Sequence, residues 1–175
     1  MPTRDATVTR NTLAASSCLP GGITSMLSFP MMQVRSDDPY NLQRFVDAQQ
    51  PVFDSVIAEL EHGRKRGHWI WFIFPQLKGL GHSANSDFFG IASVQEATAY
   101  LQHPVLGPRL IECTQRVNAI EGRSAENIFG EIDAIKFRSS MTLFAKAAPD
   151  NPVFIDALTK YFAGEFDPLT IAYLH

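Results

Sequence analysis

Residues 133–144, DAIKFRSSMTLF, decide the fold class because they repeat apolar side chains at helical spacing. Ala134, Phe137, Met141 and Phe144 recur at intervals of three and four residues, which places them on one face of an α-helix. The proline that follows this segment ends the helix, since proline cannot continue the hydrogen-bond ladder. The stretch therefore predicts a long helix with one face turned to a core.

The same spacing recurs in three other segments, each of which ends near a glycine that can terminate a helix. The apolar stripes are Phe53, Ile57 and Leu60; Leu106, Leu110, Cys113, Val117 and Ile120; and Val153, Phe154, Ala157, Leu158, Tyr161 and Phe162. The terminating glycines are Gly63, Gly122 and Gly164. These stripes predict three more helices.

Helix start signals agree with the stripes. Asx-Pro pairs at 38–39, 151–152 and 167–168 place a capping side chain before a proline at the first helical position. Ser93 and Glu96 have the spacing of a capping box. The apolar run at 68–74 fits either a buried strand or a short buried helix, and we predict a helix because no partner strand is evident. We expect an all-α, compact, single-domain bundle of about six to eight helices over residues 37–175.

Residues 1–36 differ from the rest because they are rich in Thr, Ser, Gly and Pro and carry no periodic apolar pattern. This composition predicts a disordered N-terminal tail. The alternative is a mis-assigned start, with the true start at Met26, Met31 or Met32.

Composition excludes several classes of protein. Hydrophobic residues make up 45% and charged residues 19% of the chain, and the formal net charge is −3, which disfavours nucleic acid as a partner. No apolar run approaches the roughly 18 residues that span a bilayer, so we expect no membrane partner. Cys18 and Cys113 cannot build a disulfide framework or a thiolate metal site, and a cytoplasmic location is predicted. The oligomeric state stays open.

The first candidate site is the stretch 63–90, GRKRGHWIWFIFPQLKGLGHSANSDFFG, in which an aromatic run leads into a glycine-bearing loop. Such a loop can place N–H groups around an anion or a nucleotide. The spacing matches neither a P-loop nor a dinucleotide-binding fingerprint. The alternative is plain aromatic core followed by a turn. The basic triplet at 64–66 is typical of a solvated helix end.

The second candidate site is the polar edge of the helix that contains 133–144. Asp133, Lys136 and Ser140 fall at helical spacing beside the core face, where a lysine and hydroxyl groups can bind a phosphate or a ribose. A lysine near a serine can also activate it as a nucleophile. The alternative is a local ion pair with tolerated hydroxyls. No metal-binding or standard catalytic motif occurs, so we expect neither a metal nor a cofactor.

Several segments, taken in order, resemble one bacterial domain family of unknown function that was once mislabelled "calpastatin". They are 41–49, 63–76, 79–83, 103–110, 128–130, 133 and 136–144, within a likeness that covers residues 38–174. A calpastatin role does not fit, because that inhibitor is a disordered eukaryotic chain and this sequence predicts a core. More distantly, the order of elements and the pair Lys136-Phe137 resemble the helical NADAR superfamily, which acts on ADP-ribose derivatives and related pyrimidine intermediates. The Glu-His-Tyr stretch of that superfamily is not evident here, so a glycohydrolase mechanism is not implied.

These observations lead to the hypothesis of a small protein that binds, and in one version hydrolyses, a nucleotide-type ligand such as an ADP-ribose derivative. The expected ligand-binding residues are Trp69 or Trp71 for a ring, Lys78, Lys136 and the amides of Gly79 and Gly81 for phosphate, and Ser83 or Ser139 for ribose. Gln76 and Ser140 are also expected to line the site. As an enzyme it would be an N-glycosidic or related hydrolase, with His68 or His82 as acid or base and Asp133 or Asp47 as the carboxylate. The alternative is a non-catalytic interaction module with a buried aromatic core. A ligand site requires the loop after the aromatic run and the Lys136 helix to face one hollow.

Overall fold

Residues 37–174, the part of the chain that the computed structural model describes, form ten α-helices, and their only β-type pairing is an isolated parallel bridge between Leu77 and Ile91. The helices are α1 (Gln43–Gln49), α2 (Phe53–Glu61), α3 (Ile70–Ile73), α4 (Ala84–Phe89), α5 (Val94–Gln102), α6 (Leu106–Ala119), α7 (Ala125–Phe129), α8 (Glu131–Ala147), α9 (Val153–Phe162) and α10 (Pro168–Tyr173). The all-α prediction is confirmed. Residues 1–36 lie outside the described residues, and so do the predictions of a disordered tail or a later start.

Helix α8 lies at the centre of this arrangement. Every residue from 139 to 145 is buried, and a helix covered on all sides must be surrounded by other elements. Helices α3, α5, α7, α9 and α10 pack against it. Its first two turns differ, because Ile132 and Ile135 are 71% and 62% exposed. The same helix therefore serves as core at one end and as surface at the other.

Helix α6 carries the second predicted stripe, and its apolar residues Leu106, Leu110, Cys113 and Val117 are all buried. It packs against α2, α5 and α9. Burial raises the pKa of the Cys113 thiol to about 12, so this cysteine is not a nucleophile at neutral pH. Cys113 is core, as its position in the stripe indicates.

The aromatic run is helical, as predicted, but it makes only the single turn of α3 before Pro75. Ile70, Ile73 and Phe74 are buried. Trp71 stays only half-buried, and so reaches the surface beside α8. Because α3 contacts α1, α4 and α8, it ties the glycine-bearing loop to the central helix.

The number of helices exceeds the predicted six to eight because two short helices escape a periodicity argument. Helices α4 and α7 have six and five residues, too few for a repeated apolar stripe. Each begins at a serine that caps it: Ser83 Oγ accepts from Ser86 N, and Ser124 Oγ accepts from Asn127 N. A capping serine was thus the signal that could have found them.

Two of the four predicted helix starts hold and two are shifted. Asp167 caps α10 and Ser93 caps α5 as expected, since they accept hydrogen bonds from Thr170 N and Glu96 N. Asp38 instead accepts from the amides of Leu42 and Gln43 across a turn, so α1 begins at Gln43 rather than directly after Pro39. The Asx-Pro pair there closes a turn that leads into the helix. At Asn151-Pro152, the proline takes the N-cap position and α9 begins at Val153, whose N donates to Asn151 Oδ1 at 3.2 Å.

Candidate functional site

A hollow of about 440 Å³ lies between the loop that follows α3 and the first turns of α8, and we call it the Trp71 hollow. It is lined by Trp71, Gln76, Leu80, Gly81, His82, Ser83, Ser86, Ile132, Ile135 and Lys136. Its volume lies in the range of small-molecule sites. The two segments that the sequence singled out therefore face each other across one cavity.

A second hollow of about 500 Å³ adjoins the first, and we call it the lysine hollow. It is lined by Lys65, Arg66, Gly67, His68, Trp71, Phe129, Gly130, Glu131, Ile132, Asp133 and Lys136. Trp71, Ile132 and Lys136 belong to both hollows and form their common wall. The two hollows are thus parts of one extended depression over α3 and α8.

The common wall holds a cation against an aromatic ring. The Nζ atom of Lys136 lies 4.7 Å from the centre of the Trp71 ring, at a distance where the ring attracts a positive charge. Trp71 Nε1 is buried and meets no hydrogen-bond acceptor within residues 37–174. A buried N–H group without a partner is costly, by about 1–3 kcal/mol, so a ligand acceptor that came within reach of this atom would recover part of that cost.

Asp133 holds two lysines at the edge of the lysine hollow. Its Oδ2 lies 2.6 Å from Lys65 Nζ and its Oδ1 lies 2.8 Å from Lys136 Nζ. Partial burial by itself raises the pKa of this carboxyl, but the hydrogen bonds and charges of the two lysines outweigh it and hold the pKa below its usual value. Asp133 therefore stays ionised at neutral pH, and its geometry is that of a residue that positions the lysines rather than of a proton donor.

The Lys65–Asp133–Lys136 cluster leaves an excess of positive charge in the depression. Two ammonium groups share one carboxylate, and Arg66 adds a third cation, whereas Glu131 supplies the only other acidic side chain of the lining. A concave surface with surplus positive charge attracts anions. The chemistry that these residues offer is anion binding beside an aromatic ring.

The two histidines that were predicted as acid or base lie in different parts of the depression. His68 lines the lysine hollow and His82 lines the Trp71 hollow, and both are exposed. Gln76, Gly81 and Ser83 accompany His82. A Cβ atom at Gly81 would overlap the side chain of Ser86, so a glycine is needed where the loop meets the start of α4.

Several predicted site residues do not reach the depression. Trp69 is buried, and its Nε1 donates to Glu59 Oε2 at 2.8 Å. Asp47 is exposed on α1, where Gln43 Nε2 donates to it at 2.8 Å. Lys78 and Gly79 line neither hollow, and Gly79 lies beside Tyr173 with a φ of +92°. The loop turns at this glycine, so that Gln76 before the turn and the residues from Leu80 onwards line the Trp71 hollow while Lys78 and Gly79 do not.

The two serines of α8 also lie away from the depression. Ser139 is buried and donates to Ile135 O and to Asp167 Oδ2, both at 3.1 Å. Ser140 is fully buried, and its Oγ has no hydrogen-bond partner among the described residues. Because the second half of α8 is enclosed by other helices, these hydroxyl groups face the core instead of a ligand.

Sequence reasoning missed several residues that line the depression, among them Lys65, Ser86 and Ile132. Lys65 is not a solvated helix end, because it turns inward to Asp133 and its ammonium lies 5.3 Å from the Trp69 ring centre. Ser86 and Ile132 belong to helical turns whose orientation the sequence does not reveal. The Arg64-Lys65-Arg66 triplet was visible in the sequence as a basic cluster. The partner of Lys65 could not be identified, because Asp133 lies on α8, far along the chain.

Among residues 37–174, no cluster of three or more His, Cys, Asp or Glu side chains is arranged to hold a metal ion. In the same residues, no helix has both the length and the apolarity needed to cross a membrane.

By its fold, the described part of the chain is a helical domain, and its surface carries an aromatic, lysine-lined depression. Residues 39–174 match the family described as "Protein of unknown function (DUF1810)", and the chain belongs to this family. This confirms the resemblance of the sequence motifs to a bacterial domain family of unknown function. A search among curated proteins found no match.

A solved structure supports the same assignment. The chain is similar to the conserved hypothetical protein Rv1873 from Mycobacterium tuberculosis, whose crystal structure was determined at 1.38 Å. The sequences are 57% identical, the match covers 78% of this chain and 98% of that chain, and the TM-score is 0.77. The helical architecture is therefore shared with this conserved hypothetical protein.

Proposed function

We propose that the joined Trp71 and lysine hollows bind a small phosphorylated molecule of nucleotide type, such as an ADP-ribose derivative. The observation that carries this proposal is the common wall, where the Lys136 ammonium lies against the Trp71 ring between the two hollows. A nucleotide offers what this wall can recognise, namely a flat ring system next to negatively charged phosphate. The distant NADAR resemblance points to the same class of ligand.

In this proposal the Trp71 hollow binds the ring and the sugar of the ligand, and the lysine hollow binds its phosphate. Leu80, Ile132 and Ile135 give the Trp71 hollow an apolar surface for a ring, while Gln76 and His82 offer hydrogen bonds to sugar hydroxyl groups. In the lysine hollow, the two lysines held by Asp133 supply the charge for phosphate. Because Asp133 already fixes the lysines, less conformational entropy is lost on binding.

If the site is also catalytic, as in hydrolysis of an N-glycosidic bond, the proton transfers fall to a histidine. His68 and His82 are exposed in the depression, whereas both oxygens of Asp133 are occupied by lysines. Histidine is the side chain that enzymes use most often for proton transfer, and both rings can be reached by a ligand in the depression. The cytoplasmic setting predicted from composition belongs to this proposal as well.

The test is a thermal-shift and calorimetric titration with ADP-ribose, NAD, AMP and adenosine. A ligand at one hundred times its dissociation constant adds about 2.7 kcal/mol to the free energy of unfolding, which corresponds to roughly 10 °C for a domain of this size. We expect phosphorylated ligands to bind and adenosine to bind more weakly. Lys136→Gln is expected to reduce affinity about tenfold, the effect of one lost charge-assisted contact.

Lys146→Gln is the matched control for this titration. Lys146 lies on the same helix, about 15 Å further along, and its ammonium lies 4.5 Å from the Phe166 ring centre. Its replacement removes the same charge without touching the depression. If none of the four ligands binds the folded protein, or if the Lys136 and Lys146 variants bind equally well, the proposal is wrong and the non-catalytic interaction module gains support.

A further inference from the structure

A third hollow, of about 450 Å³, lies on the outer side of the 64–66 segment, and we call it the arginine hollow. It is lined by Ala58, Glu59, His62, Arg64, Arg66 and Arg123. Only Arg66 is shared with the lysine hollow, whereas Arg64 and Arg123 contribute to neither part of the depression described above. It can therefore be tested separately from the proposed nucleotide site.

The three arginines of this hollow differ from every other arginine in residues 37–174. Arg44, Arg116 and Arg138 form ion pairs with glutamates, and Arg109 donates to two glutamine side chains. No hydrogen bond or ion pair within the described residues involves the side chains of the three arginines in the hollow. The arginines that have no side-chain partner within residues 37–174 thus all line one hollow, on a chain whose net charge is −3.

The one carboxylate of the hollow is already engaged. Glu59 accepts from Arg66 N at 2.6 Å, from Gly67 N at 3.0 Å and from Trp69 Nε1 at 2.8 Å. Partial burial alone raises the pKa of Glu59, but these hydrogen bonds and the Lys65 charge hold it below its usual value. Glu59 fixes the backbone beneath the arginines and leaves their donors available.

The backbone at Arg64 and the ring of His62 are held by hydrogen bonds, and Arg123 packs on Gly63. Arg64 N donates to Glu59 O at 3.1 Å, which anchors the start of the segment. Arg123 lies across Gly63, where an added Cβ would come within 3.3 Å of its side chain. His62 Nδ1 lies 2.6 Å from Ala58 O, and since a carbonyl only accepts, Nδ1 carries the hydrogen and Nε2 is left for a ligand.

We propose that the arginine hollow is a second binding site, selective for a small molecule that carries a phosphate or diphosphate group. Three arginines line this hollow and Glu59 is the single carboxylate among the lining residues, so the hollow carries surplus positive charge that attracts a multiply charged oxyanion. Each guanidinium group can present a pair of parallel N–H donors, so the three arginines present about six. A carboxylate accepts only about four hydrogen bonds. A phosphate group has three terminal oxygens and a charge close to −2, so it satisfies more of these donors. The concave shape and the volume fit a small molecule rather than a flat surface contact.

The experiment uses inorganic pyrophosphate, inorganic phosphate and sodium acetate as probes, titrated into the full chain while the side-chain Nε–Hε resonances of the arginines are followed by NMR. We expect saturable shifts at Arg64, Arg66 and Arg123, and the order of affinity pyrophosphate, phosphate, acetate. Arg64→Gln and Arg123→Gln are each expected to weaken pyrophosphate binding about tenfold, as the loss of a charged donor pair predicts. Arg123→Lys should recover only part of this loss, because lysine keeps the charge but not the planar fork.

Lys146→Gln again serves as the control, since it changes net charge by the same amount and should bind pyrophosphate like the wild type. The proposal is overturned if the shifts do not saturate, if acetate binds as tightly as phosphate, or if the Arg123 and Lys146 variants bind equally well. Binding of anionic phospholipid vesicles without binding of free pyrophosphate would also overturn it, because the source of the phosphate would then be a membrane. Lys136→Gln should leave pyrophosphate binding at this hollow intact, so failure here and failure of the nucleotide proposal are told apart.

Discussion

Two clusters of charged side chains show how differently this domain uses partly buried ions. Arg44 Nη2 donates to Glu96 Oε1 at 2.8 Å, and the two side chains are only 9% and 5% exposed. The remaining Arg44 donors reach backbone carbonyls, including that of Tyr40, and the second Glu96 oxygen accepts from Ala92 N at 2.8 Å. One cation meets one anion, and the pair joins α1 to α5.

The Lys65–Asp133–Lys136 cluster is built on another principle. It contains two cations for one anion and borders the depression instead of the core. Each lysine also lies against a tryptophan ring. In the Arg44–Glu96 pair the charges balance and the hydrogen-bonding groups are used within the protein, so the pair acts as a structural link. In the Lys65–Asp133–Lys136 cluster one positive charge is left unbalanced at a cavity, where it is available to an anion. The degree of saturation, rather than burial alone, separates the structural ion pair from the cluster that we propose as a binding site.

The largest expected effect comes from breaking the saturated pair. Arg44→Met leaves Glu96 buried without its cation, and removal of one partner of such a pair costs about 3–4 kcal/mol. Lys65→Met should cost about 1 kcal/mol or less, because Asp133 keeps Lys136 and the methionine can still cover Trp69. Urea denaturation of both variants measures the difference. Equal losses would show that the two clusters contribute alike to stability.

A second prediction concerns Asp133, the anion of the unbalanced cluster. Asp133→Asn leaves two half-buried lysines without their counter-ion, which we expect to cost about 2 kcal/mol at pH 7. The folded-state pKa of Asp133 lies below the unfolded value of about 3.9, so its contribution is present above about pH 5 and is lost as the pH falls through the folded-state pKa. The stability difference between wild type and variant should therefore shrink on acidification. A difference that stays constant from pH 7 to pH 3 would contradict this role for Asp133.

The smallest expected effect on the free energy of unfolding concerns Trp69 and Trp71, the two tryptophans that lie against the lysines. Trp69→Phe removes the donor that Glu59 accepts, which should cost about 1–1.5 kcal/mol. Trp71→Phe removes an N–H group that has no acceptor among the described residues, so its loss of ring area is partly offset and the net change should stay within about 0.5 kcal/mol. Thermal unfolding of the two variants tests the order. A larger loss at Trp71 would mean that its ring is part of the core and not of a site.

Several elements of the fold could be predicted because their signals are local. The stripe on α8, the caps at Ser93 and Asp167 and the Asp133–Lys136 pair, found at 2.8 Å, all depend on residues within one or two turns of each other. The hydrogen-bond geometry of a helix sets these spacings, whatever surrounds it. Short helices such as α4 were missed because six residues are too few to show a repeated apolar spacing.

The site was harder to predict, since one continuous apolar run does not reveal which ring faces outward. Trp69 and Trp71 looked equivalent in sequence, yet one is core and the other forms the wall of two hollows. Ser139 and Ser140 looked like an exposed edge, but the helices around α8 enclose them. Lys65 was read as a solvated charge because its partner Asp133 belongs to a distant helix.

The sequence by itself determined the helical class, most helix limits and the local ion pair, because each of these follows from the pitch of one helix and its end groups. Only the tertiary structure decided which polar groups share a cavity. The packing of α3 against α8 sets that outcome, and this packing is fixed by the shapes of core side chains that come from all parts of the chain.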